Sequence, residues 1–240
     1  MQSPAEDSKD LRGCFERDGF VVVPGFLAAE EVAALRRAIE LAPERDPGAN
    51  PLTLDSMRFA SNLFYGSAEL QGFLCSPAVV ALLRALGHDD LWVRWDQAVW
   101  KGPEAPEFPW HQDNGYTSLG VQHVQLWVAI TAMHSGNGGL VVSPGGHRRR
   151  SEHRWVGNHV VIDDPTRQTA IDARAGDVVV FSSFLPHMTT ANETGEDRLA
   201  YVAEYLPLGE VDPSVPPPQM VASRAGQAVG RFEQLFVDPQ

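Results

Sequence analysis

The spacing of hydrophobic residues changes once along this chain, close to Leu86. In the segment 30–41, EEVAALRRAIEL, the apolar residues Val32, Leu35 and Ile39 recur at intervals of three and four. This spacing places them on one face of an α-helix and leaves the charged residues on the opposite face. The chain before Leu86 is therefore predicted to be helical, with short breaks.

Two further helices are predicted from the residues at their ends. In SPAVVALLRALG, Ser76 is a suitable N-cap, Pro77 fits the first helical position and Gly87 fits the C-terminal stop. A shorter helix is predicted near the N-terminus, with Ser8 as its cap and Gly19 as its end. These residues define where each helix is expected to begin and end.

After Leu86 the pattern changes to short apolar runs separated by Gly, Pro, Asn and Asp, which is typical of strands and turns. The runs are LWVRWDQAVW at 91–100, HVQLWVAITAM at 123–133, GLVVS at 139–143, GDVVVFSSF at 176–184 and RLAYVAEYL at 198–206. Helices followed by many strands favour helices packed on a two-sheet antiparallel sandwich. The proline-rich segment 211–220 follows the last predicted strand, so the tail 208–240 is expected to wrap the surface or to act as a lid.

Length and composition favour a single folded domain over residues 1–240. With 43% hydrophobic residues, a chain of 240 residues can bury a substantial core. The chain has two cysteines, Cys14 and Cys75, which are too few for a disulfide scaffold and lack the spacing of a zinc site. The fold is therefore expected to depend on its hydrophobic core.

The charge of the chain excludes some classes of partner. A formal net charge of −12 argues against a surface that holds nucleic acid or an anionic membrane. The first ten residues are polar and acidic, unlike a signal peptide, and no apolar run is expected to reach the length of a membrane span. The interpretation is a cytoplasmic monomer or homodimer that acts on a small molecule, without nucleic acid or membrane partners.

The segment PWHQDNGY at 109–116 carries the first candidate chemistry. His111 and Asp113 are two residues apart, so in an extended strand both side chains point to the same face. His187 follows 76 residues later (187 − 111), near the start of another predicted strand. Two histidines and one carboxylate form the facial triad of non-haem Fe(II) oxygenases, which leaves open coordination positions. An α-keto acid could occupy two of these positions and dioxygen the third.

The same region offers a binding site for the far end of such a keto acid. Arg198 stands 11 residues after His187 (198 − 187), and Thr189 lies between them. If the keto acid is 2-oxoglutarate, its distal carboxylate needs a cation, and a guanidinium provides two parallel hydrogen bonds. The histidine, threonine and arginine are expected to converge from one hairpin.

On these residues the chain resembles the phytanoyl-CoA dioxygenase family of Fe(II)- and 2-oxoglutarate-dependent oxygenases, from about residue 13 to residue 207. The matching motifs are FERDGFVVVPGFL, WHQD, NGGLVVSPGGH and AGDVVVFSSFLPH, together with the spacing from His187 to Arg198. The resemblance implies a double-stranded β-helix, a jelly-roll of the cupin type, with N-terminal helices packed on one sheet. It does not identify a substrate.

The resemblance also implies roles for single residues. His111, Asp113 and His187 would bind iron as the catalytic centre. Arg198 and Thr189 would bind 2-oxoglutarate. Gln97 and Trp127 would line the cosubstrate pocket, because they fall where the family commonly has contacts.

Each of these residues also has an ordinary structural interpretation. An isolated HxD pair is usually a surface pair, and Arg198 alone would most often be a salt-bridge partner. Trp127 lies in an apolar run and is expected in a core in any case. The aromatic residues nearest to the first ligands, which could wall a substrate pocket or simply pack in the core, are Phe108, Trp110 and Tyr116.

The predicted activity is dioxygen-dependent hydroxylation of an unactivated C–H bond in a small molecule, coupled to decarboxylation of 2-oxoglutarate. A composition rich in alanine, arginine and proline points to a bacterial pathway, such as one of secondary metabolism. Desaturation, ring formation and epimerisation would use the same residues. Two alternatives stay open, namely a cupin-like metalloenzyme that uses no keto acid and a non-catalytic ligand-binding module on the same fold. The segments 114–122, 148–168 and the tail are expected to cover the substrate site.

Overall fold

A computed structural model describes residues 10–42, 52–117 and 119–235 of the chain. Four α-helices and fifteen β-strands occur in these residues. The helices are α1 (Leu11–Asp18), α2 (Ala29–Leu41), α3 (Ala68–Leu74) and α4 (Pro77–Ala85). The strands are β1 (Phe20–Val23), β2 (Leu52–Leu54), β3 (Met57–Ser61), β4 (Leu91–Lys101), β5 (Phe108–His111), β6 (Val124–Ala129), β7 (Leu140–Val142), β8 (Arg154–Val156), β9 (His159–Val161), β10 (Thr169–Ala170), β11 (Val178–Ser182), β12 (His187–Thr189), β13 (Arg198–Pro207), β14 (Gln219–Arg224) and β15 (Gln227–Glu233).

The predicted caps explain where α1 and α4 begin. The Ser76 hydroxyl accepts a hydrogen bond from the Val79 N–H at 3.3 Å, and Pro77 opens α4 as expected. Helix α1 is capped by Asp10, whose carboxylate accepts from the Gly13 N–H at 2.9 Å. The predicted cap of this helix, Ser8, lies outside the described residues.

The prediction of a purely helical first third is wrong, because three strands lie before Leu86. Strand β1 pairs with β11, from Phe20 opposite Phe181 to Val23 opposite Val178. Strand β3 pairs with both β2 and β4. Three consecutive valines favour a strand, and the partners that hold β1 lie more than 150 residues away.

The larger of the two facing sheets has nine strands in the described part of the chain. Its order is β1-β11-β6-β13-β4-β14-β15, and β3 and β2 are attached beside β4. The smaller sheet has the order β10-β7-β12-β5, and all its pairs are antiparallel. Strands β8 and β9 form a separate hairpin.

Two apolar layers hold this architecture together. One packs the helices against the outer face of the large sheet and contains Leu35 and Leu83 together with Val180 and Tyr201. The other lies between the two sheets and contains Val142 of the small sheet, with neighbours from β6, β11 and β13. The predicted mainly β double-stranded β-helix, with N-terminal helices on one sheet, is confirmed.

The tail was expected to wrap the surface or act as a lid, and two strands within it extend the large sheet. Strands β14 and β15 follow the proline-rich segment, and β14 pairs with β4 from Met220 opposite Val93 onward. The side chains of Met220, Val221 and Ala222 are buried. RLAYVAEYL is therefore not the last strand.

The expectation that no apolar run reaches the length of a membrane span is also corrected. The window Ala68–Ala85 is 18 residues long, with a mean hydropathy of 1.2. In the structure this window forms two helices, α3 and α4, separated at Cys75 and Ser76. Leu70 and Leu83 are buried in the layer beneath the large sheet, so the window contributes to the core of the fold.

Candidate active site

Two histidines and an aspartate meet where β5 and β12 lie side by side. His111 and His187 are direct partners in the pairing of these strands, with ring centroids 4.1 Å apart. The Nε2 atoms of both histidines lie 3.7 Å from the same Asp113 carboxylate oxygen. One ligand atom from each of the three residues falls within 4.8 Å of the others, so one ion could contact all three.

The local backbone differs from the prediction at Asp113. Strand β5 ends at His111, and Asp113 begins a short 3-10 turn that extends to Gly115. Gln112 between them keeps an extended backbone, with φ −120° and ψ 138°, so both side chains still point to the same side. The Gln112 amide donates to the carbonyl groups of Arg149 and Phe184, and this anchors the turn.

Hydrogen bonds to the backbone orient both imidazoles. His111 Nδ1 lies 2.8 Å from the Pro109 carbonyl oxygen, and His187 Nδ1 lies 2.9 Å from that of Leu185. A carbonyl can only accept, so each Nδ1 carries the proton and each Nε2 presents a lone pair toward Asp113. This is the tautomer that a metal-binding histidine requires.

Burial shifts the pKa values of all three groups in the direction that favours the neutral form of each. It lowers the pKa of His187 to about 4 and, with repulsion from His187, lowers the pKa of His111 well below its usual range. Burial also raises the pKa of Asp113 to about 8, and the negative charge of Glu204 adds to the shift. The neutral imidazoles are ready to act as ligands, and a cation at the centre would restore the carboxylate.

Two buried cations lie close together, and one of them, Arg198, lines an interior cavity that the three metal-ligand candidates share. Arg198 is 1% exposed, and none of its three guanidinium nitrogens has a hydrogen-bond partner among the described residues. The guanidinium carbon lies 5.6 Å from the centroid of the Trp127 ring. An unpaired buried guanidinium is costly, which indicates that an anion completes this site.

The second cation is Lys101, which the sequence analysis missed. Its ammonium donates to the Thr189 hydroxyl at 2.9 Å, and its strand position is directly opposite Arg198. Burial, with repulsion from Arg198, lowers the pKa of Lys101 to about 7, and burial lowers that of Arg198 to about 10. Lys101 lies four residues after Gln97 in β4, so the two-residue period of a strand could have placed it on the same face.

The predicted hairpin of His187, Thr189 and Arg198 is wrong, although the residues do converge. Strand β12 belongs to the small sheet, between β7 and β5. Strand β13, which begins at Arg198, belongs to the large sheet, between β6 and β4. Thr189 and Arg198 therefore approach each other across the interior of the sandwich.

The three metal-ligand candidates, Thr189 and Arg198 line one interior cavity of about 100 Å³. Gln97, Trp127 and Phe108 also line it, as expected for a pocket wall. Gln97 donates a hydrogen bond to Ser61 at 2.9 Å, which fixes its amide. The Phe108 ring packs against His111 at 4.9 Å between centroids.

The structure does not place Trp110 at this cavity. Trp110 precedes His111 in β5 and points to the other face of the small sheet, where it packs with Val141, Ile162 and Met188. Tyr116 lies at the rim, 41% exposed, with its ring 5.7 Å from that of His111. Phe108 therefore lines the cavity, Tyr116 lies beside His111 and Trp110 faces away, and contact of these residues with substrate stays a prediction.

The other end of the cavity carries polar groups that the sequence analysis did not single out. Glu204 is 5% exposed and Gln125 is 1% exposed, and both line the cavity with Trp95. Arg94 donates to Glu204 at 2.5 Å and also binds Asp212. The two carboxylates therefore share one guanidinium.

Two of the predicted covering segments contact each other above the metal-ligand candidates. The β8–β9 hairpin lies within 148–168, and its Val160 N–H donates to the Tyr116 hydroxyl at 3.1 Å. The exposed Trp155 packs edge-on against Tyr116, with centroids 5.9 Å apart. The hairpin also contacts the wall of the cavity, because the His159 ring packs against Phe108 with centroids 4.8 Å apart.

Comparison with known proteins agrees with this geometry. The sequence model of the phytanoyl-CoA dioxygenase (PhyH) family matches residues 15–200, which is most of the chain. The chain belongs to this family. The match spans every motif on which the resemblance was based, from the second half of α1 to the beginning of β13.

Individual proteins of curated function share about a quarter of their residues with this chain over the aligned region. A 2-aminoethylphosphonate dioxygenase from the uncultured bacterium HF130_AEPn_1 is 25% identical over 145 residues, covering 59% of this chain and 55% of the relative. The ectoine dioxygenase of Halomonas elongata is 27% identical over 152 residues, covering 56% of this chain and 44% of the relative. The chain thus spans about half the length of the curated relatives it matches.

A solved structure shows the same fold. The epimerase SnoN, crystallised with Fe3+, alpha-ketoglutarate and nogalamycin RO, superposes with a TM-score of 0.72 at 23% identity, covering 86% of this chain and 85% of SnoN. At this level of identity the likeness concerns the fold alone. The chemistry of this chain must be argued from its own residues.

Proposed function

We propose that the chain is a non-haem Fe(II)- and 2-oxoglutarate-dependent dioxygenase that hydroxylates an unactivated C–H bond of a small molecule. One observation carries the proposal. Three metal-ligand candidates face the same interior cavity as a buried guanidinium that has no hydrogen-bond partner in the part of the chain that the structure describes. The first group fits iron and the second fits the distal carboxylate of the cosubstrate.

His111, Asp113 and His187 would hold the iron. Two neutral imidazoles and one carboxylate make up the donor set of an iron oxygenase, which keeps three positions open. The backbone carbonyls that accept from both Nδ1 atoms fix the rings in the binding orientation. Iron, when bound, supplies dioxygen activation coupled to decarboxylation of 2-oxoglutarate.

Arg198, Thr189 and Lys101 would bind the cosubstrate. The guanidinium offers a two-bond fork to a carboxylate, and the Thr189 hydroxyl lies beside it, held by Lys101. Trp127 lies next to the guanidinium and Gln97 lies further along the same wall. These groups would orient the cosubstrate so that its keto-acid end points to the metal.

Aromatic rings would keep water from the reacting centre. Phe181 lies 4.9 Å from the His187 ring and Phe108 lies 4.9 Å from the His111 ring, both measured between centroids. Both rings line the cavity. An apolar wall around the metal strengthens electrostatic interactions inside it and limits side reactions.

The substrate would be a small molecule, in keeping with the small molecules named for the similar proteins. SnoN is an epimerase and the curated relatives are named as dioxygenases, so outcomes other than hydroxylation occur on this scaffold. The net charge of −12 supports the absence of a nucleic-acid or membrane partner. A cytoplasmic monomer or homodimer, made of one domain, completes the proposal.

The two alternatives are less well supported. A cupin-like metalloenzyme without a keto acid would have no use for a buried guanidinium in its cavity with a second buried cation behind it. A non-catalytic module has no need of a complete set of metal ligands, and His111, Asp113 and His187 are all in place. The assay below separates both alternatives from the oxygenase.

Reconstitution with Fe(II) tests the proposal. Under anaerobic conditions, addition of 2-oxoglutarate to the iron-loaded protein should produce a visible metal-to-ligand charge-transfer band. Air should then convert 2-oxoglutarate to succinate. His187→Ala should lose both signals, whereas the matched variant His134→Ala, at an exposed position, should keep them. Undiminished succinate formation by iron-free His187→Ala would refute the proposed site.

A further inference from the structure

The cavity is electrically polarised along a single strand. Arg198, Val202 and Glu204 all lie on β13 and all line the cavity, because residues at even spacing share one face of a strand. Arg198 and Glu204 are six residues apart (204 − 198), which corresponds to about 20 Å along an extended strand. One end of the cavity is therefore cationic and the other end carries a carboxylate.

The neighbouring strands repeat this polarity. Beside Arg198, β4 contributes Lys101. Beside Glu204, β4 contributes Trp95 and β6 contributes Gln125. The cationic end is the proposed cosubstrate site, so the Glu204 end is left for the substrate.

Glu204 is ionised in its buried position. Burial acts to raise its pKa, but the interactions with His123 and Arg94 outweigh burial and lower the pKa to about 2. Arg94 is shared with Asp212, so two carboxylates lie against one guanidinium. His123 Nε2 lies 3.6 Å from the same Glu204 oxygen that Arg94 binds.

A second observation at this end points to a missing hydrogen-bond donor. The Gln125 side-chain oxygen is buried and has no partner among the described residues. The amide nitrogen of Gln125 lies 3.4 Å from His123 Nε2, and its interaction with Glu204 helps to lower the pKa of that carboxyl. A buried acceptor without a donor is costly, and a ligand that donates hydrogen bonds would satisfy it.

The third component is an aromatic face. Trp95 lines the cavity beside Glu204, and it also borders a cleft of about 690 Å³ formed with Tyr65, Phe232 and the prolines 216–218. A tryptophan face attracts a cation by its quadrupole.

We infer that the Glu204 end of the cavity binds a cationic nitrogen of the substrate, so that the enzyme acts on an amine. The ammonium group donates to Glu204 and Gln125 and packs on Trp95, with its carbon skeleton directed toward the metal. This inference rests on the proposed function, because it takes the cationic end as the cosubstrate site.

Sets of probe compounds with one carbon skeleton test the inference. Each set has an ammonium, an alcohol and a carboxylate, such as benzylammonium, benzyl alcohol and benzoate, with cyclohexylmethyl and 2-phenylethyl sets beside it. Binding is measured by broadening of the probe NMR signals on the anaerobic enzyme loaded with Fe(II) and 2-oxoglutarate. The wild type should bind the ammonium at least about tenfold more tightly than the alcohol, and the carboxylate least.

Variants then locate the preference. Glu204→Gln keeps the shape and removes the charge, so the preference for ammonium should disappear while the 2-oxoglutarate charge-transfer band remains. The matched control is Glu196→Gln, at an exposed position in the connection between β12 and β13. This variant should keep the preference. If Glu204→Gln does not fold, Trp95→Leu serves instead and should weaken ammonium binding with unchanged cosubstrate binding.

The outcomes separate this inference from the proposed function. Loss of the charge-transfer band in the wild type would overturn the iron and cosubstrate sites themselves. A normal band with no ammonium preference in any of the three sets would overturn the amine site alone. Retention of the preference in Glu204→Gln, or in Trp95→Leu where that variant is used, would also overturn it.

Discussion

Lys101 and Arg198 face each other across two adjacent strands, and both cations are almost completely buried. Burial lowers the pKa of both groups, and repulsion from Arg198 adds to the shift at Lys101. The arrangement is unfavourable in the isolated chain and becomes favourable when a carboxylate lies between them. Binding of the cosubstrate should therefore depend on both cations, in different ways.

Arg198→Ala should weaken binding of 2-oxoglutarate by about 2 to 4 kcal/mol, because a bidentate charge-assisted contact is lost from a water-excluded site. Arg198→Lys should rescue poorly, since an ammonium provides one point charge in place of a fork. Titration of the charge-transfer band measures both affinities. Arg36→Ala, on the exposed face of α2, is the control. An unchanged affinity in Arg198→Ala would place the cosubstrate elsewhere.

The affinity for 2-oxoglutarate should fall as the pH rises. Lys101 has a pKa of about 7 in the ligand-free protein, and a carboxylate ligand favours its protonated form. The contribution of Lys101 is therefore complete below pH 7 and is lost progressively above it. Titrations at several pH values on the iron-loaded protein measure this slope. Lys101→Met should bind more weakly and show a flatter profile, and an identical slope in that variant would exclude Lys101 as its source.

Metal binding should stabilise the fold. At an Fe(II) concentration one hundred times Kd, a site present only in the folded state adds about 2.7 kcal/mol to the free energy of unfolding. Anaerobic denaturant titrations with and without metal measure the difference. His187→Ala should lose most of it and His134→Ala should retain it. Equal stabilisation of both variants would show that the metal binds outside the cluster.

Gly138 should support the cosubstrate site from outside the cavity. Its φ is +86°, and a Cβ atom there would lie 2.4 Å from the Lys101 Cδ. Gly138→Ala should therefore cost about 1 to 2 kcal/mol of stability and also weaken 2-oxoglutarate binding by displacing the lysine. Gly195→Ala, where a Cβ meets open space, is the control. A stability loss with normal cosubstrate affinity would contradict the link to Lys101.

The β8–β9 hairpin should respond to substrate. It contacts the rim of the cavity through Tyr116 and exposes Trp155, which is 67% accessible. We predict that amide hydrogen exchange in 154–161 slows when a true substrate binds and not when 2-oxoglutarate binds alone. Unchanged exchange there, and in 114–117, would contradict a covering role for these segments.

Sequence reasoning could predict the metal-ligand candidates because their relationship is local or repeats at strand spacing. The HxD pair is two residues apart, and the extended Gln112 preserves its geometry even though β5 ends at His111. The pairing of His111 with His187 required only that two strands be neighbours. Arg198 could be predicted from its spacing of 11 residues from His187.

The remaining features depend on pairings that the sequence does not reveal. Lys101 gains its role from its register opposite Arg198, and the carboxylate end depends on the register that places Glu204 beside Trp95 and Gln125. Strand β1 needs partners near Phe181 to form. Strand β15 is largely exposed, so it lacks the apolar alternation by which strands are predicted.

The two sheets contribute unequal parts of the proposed binding sites. Iron would be held by residues in and after strands of the small sheet, at His111, Asp113 and His187, whereas Glu204 belongs to the large sheet. Arg198 of the large sheet and Thr189 of the small sheet meet at the cosubstrate site, so a bound dicarboxylate links the sheets. The ligand-free protein already has one polar link at this point, from Lys101 to Thr189. The cosubstrate would add the charged partner that Arg198 lacks among the described residues, so 2-oxoglutarate should raise the free energy of unfolding of the whole sandwich.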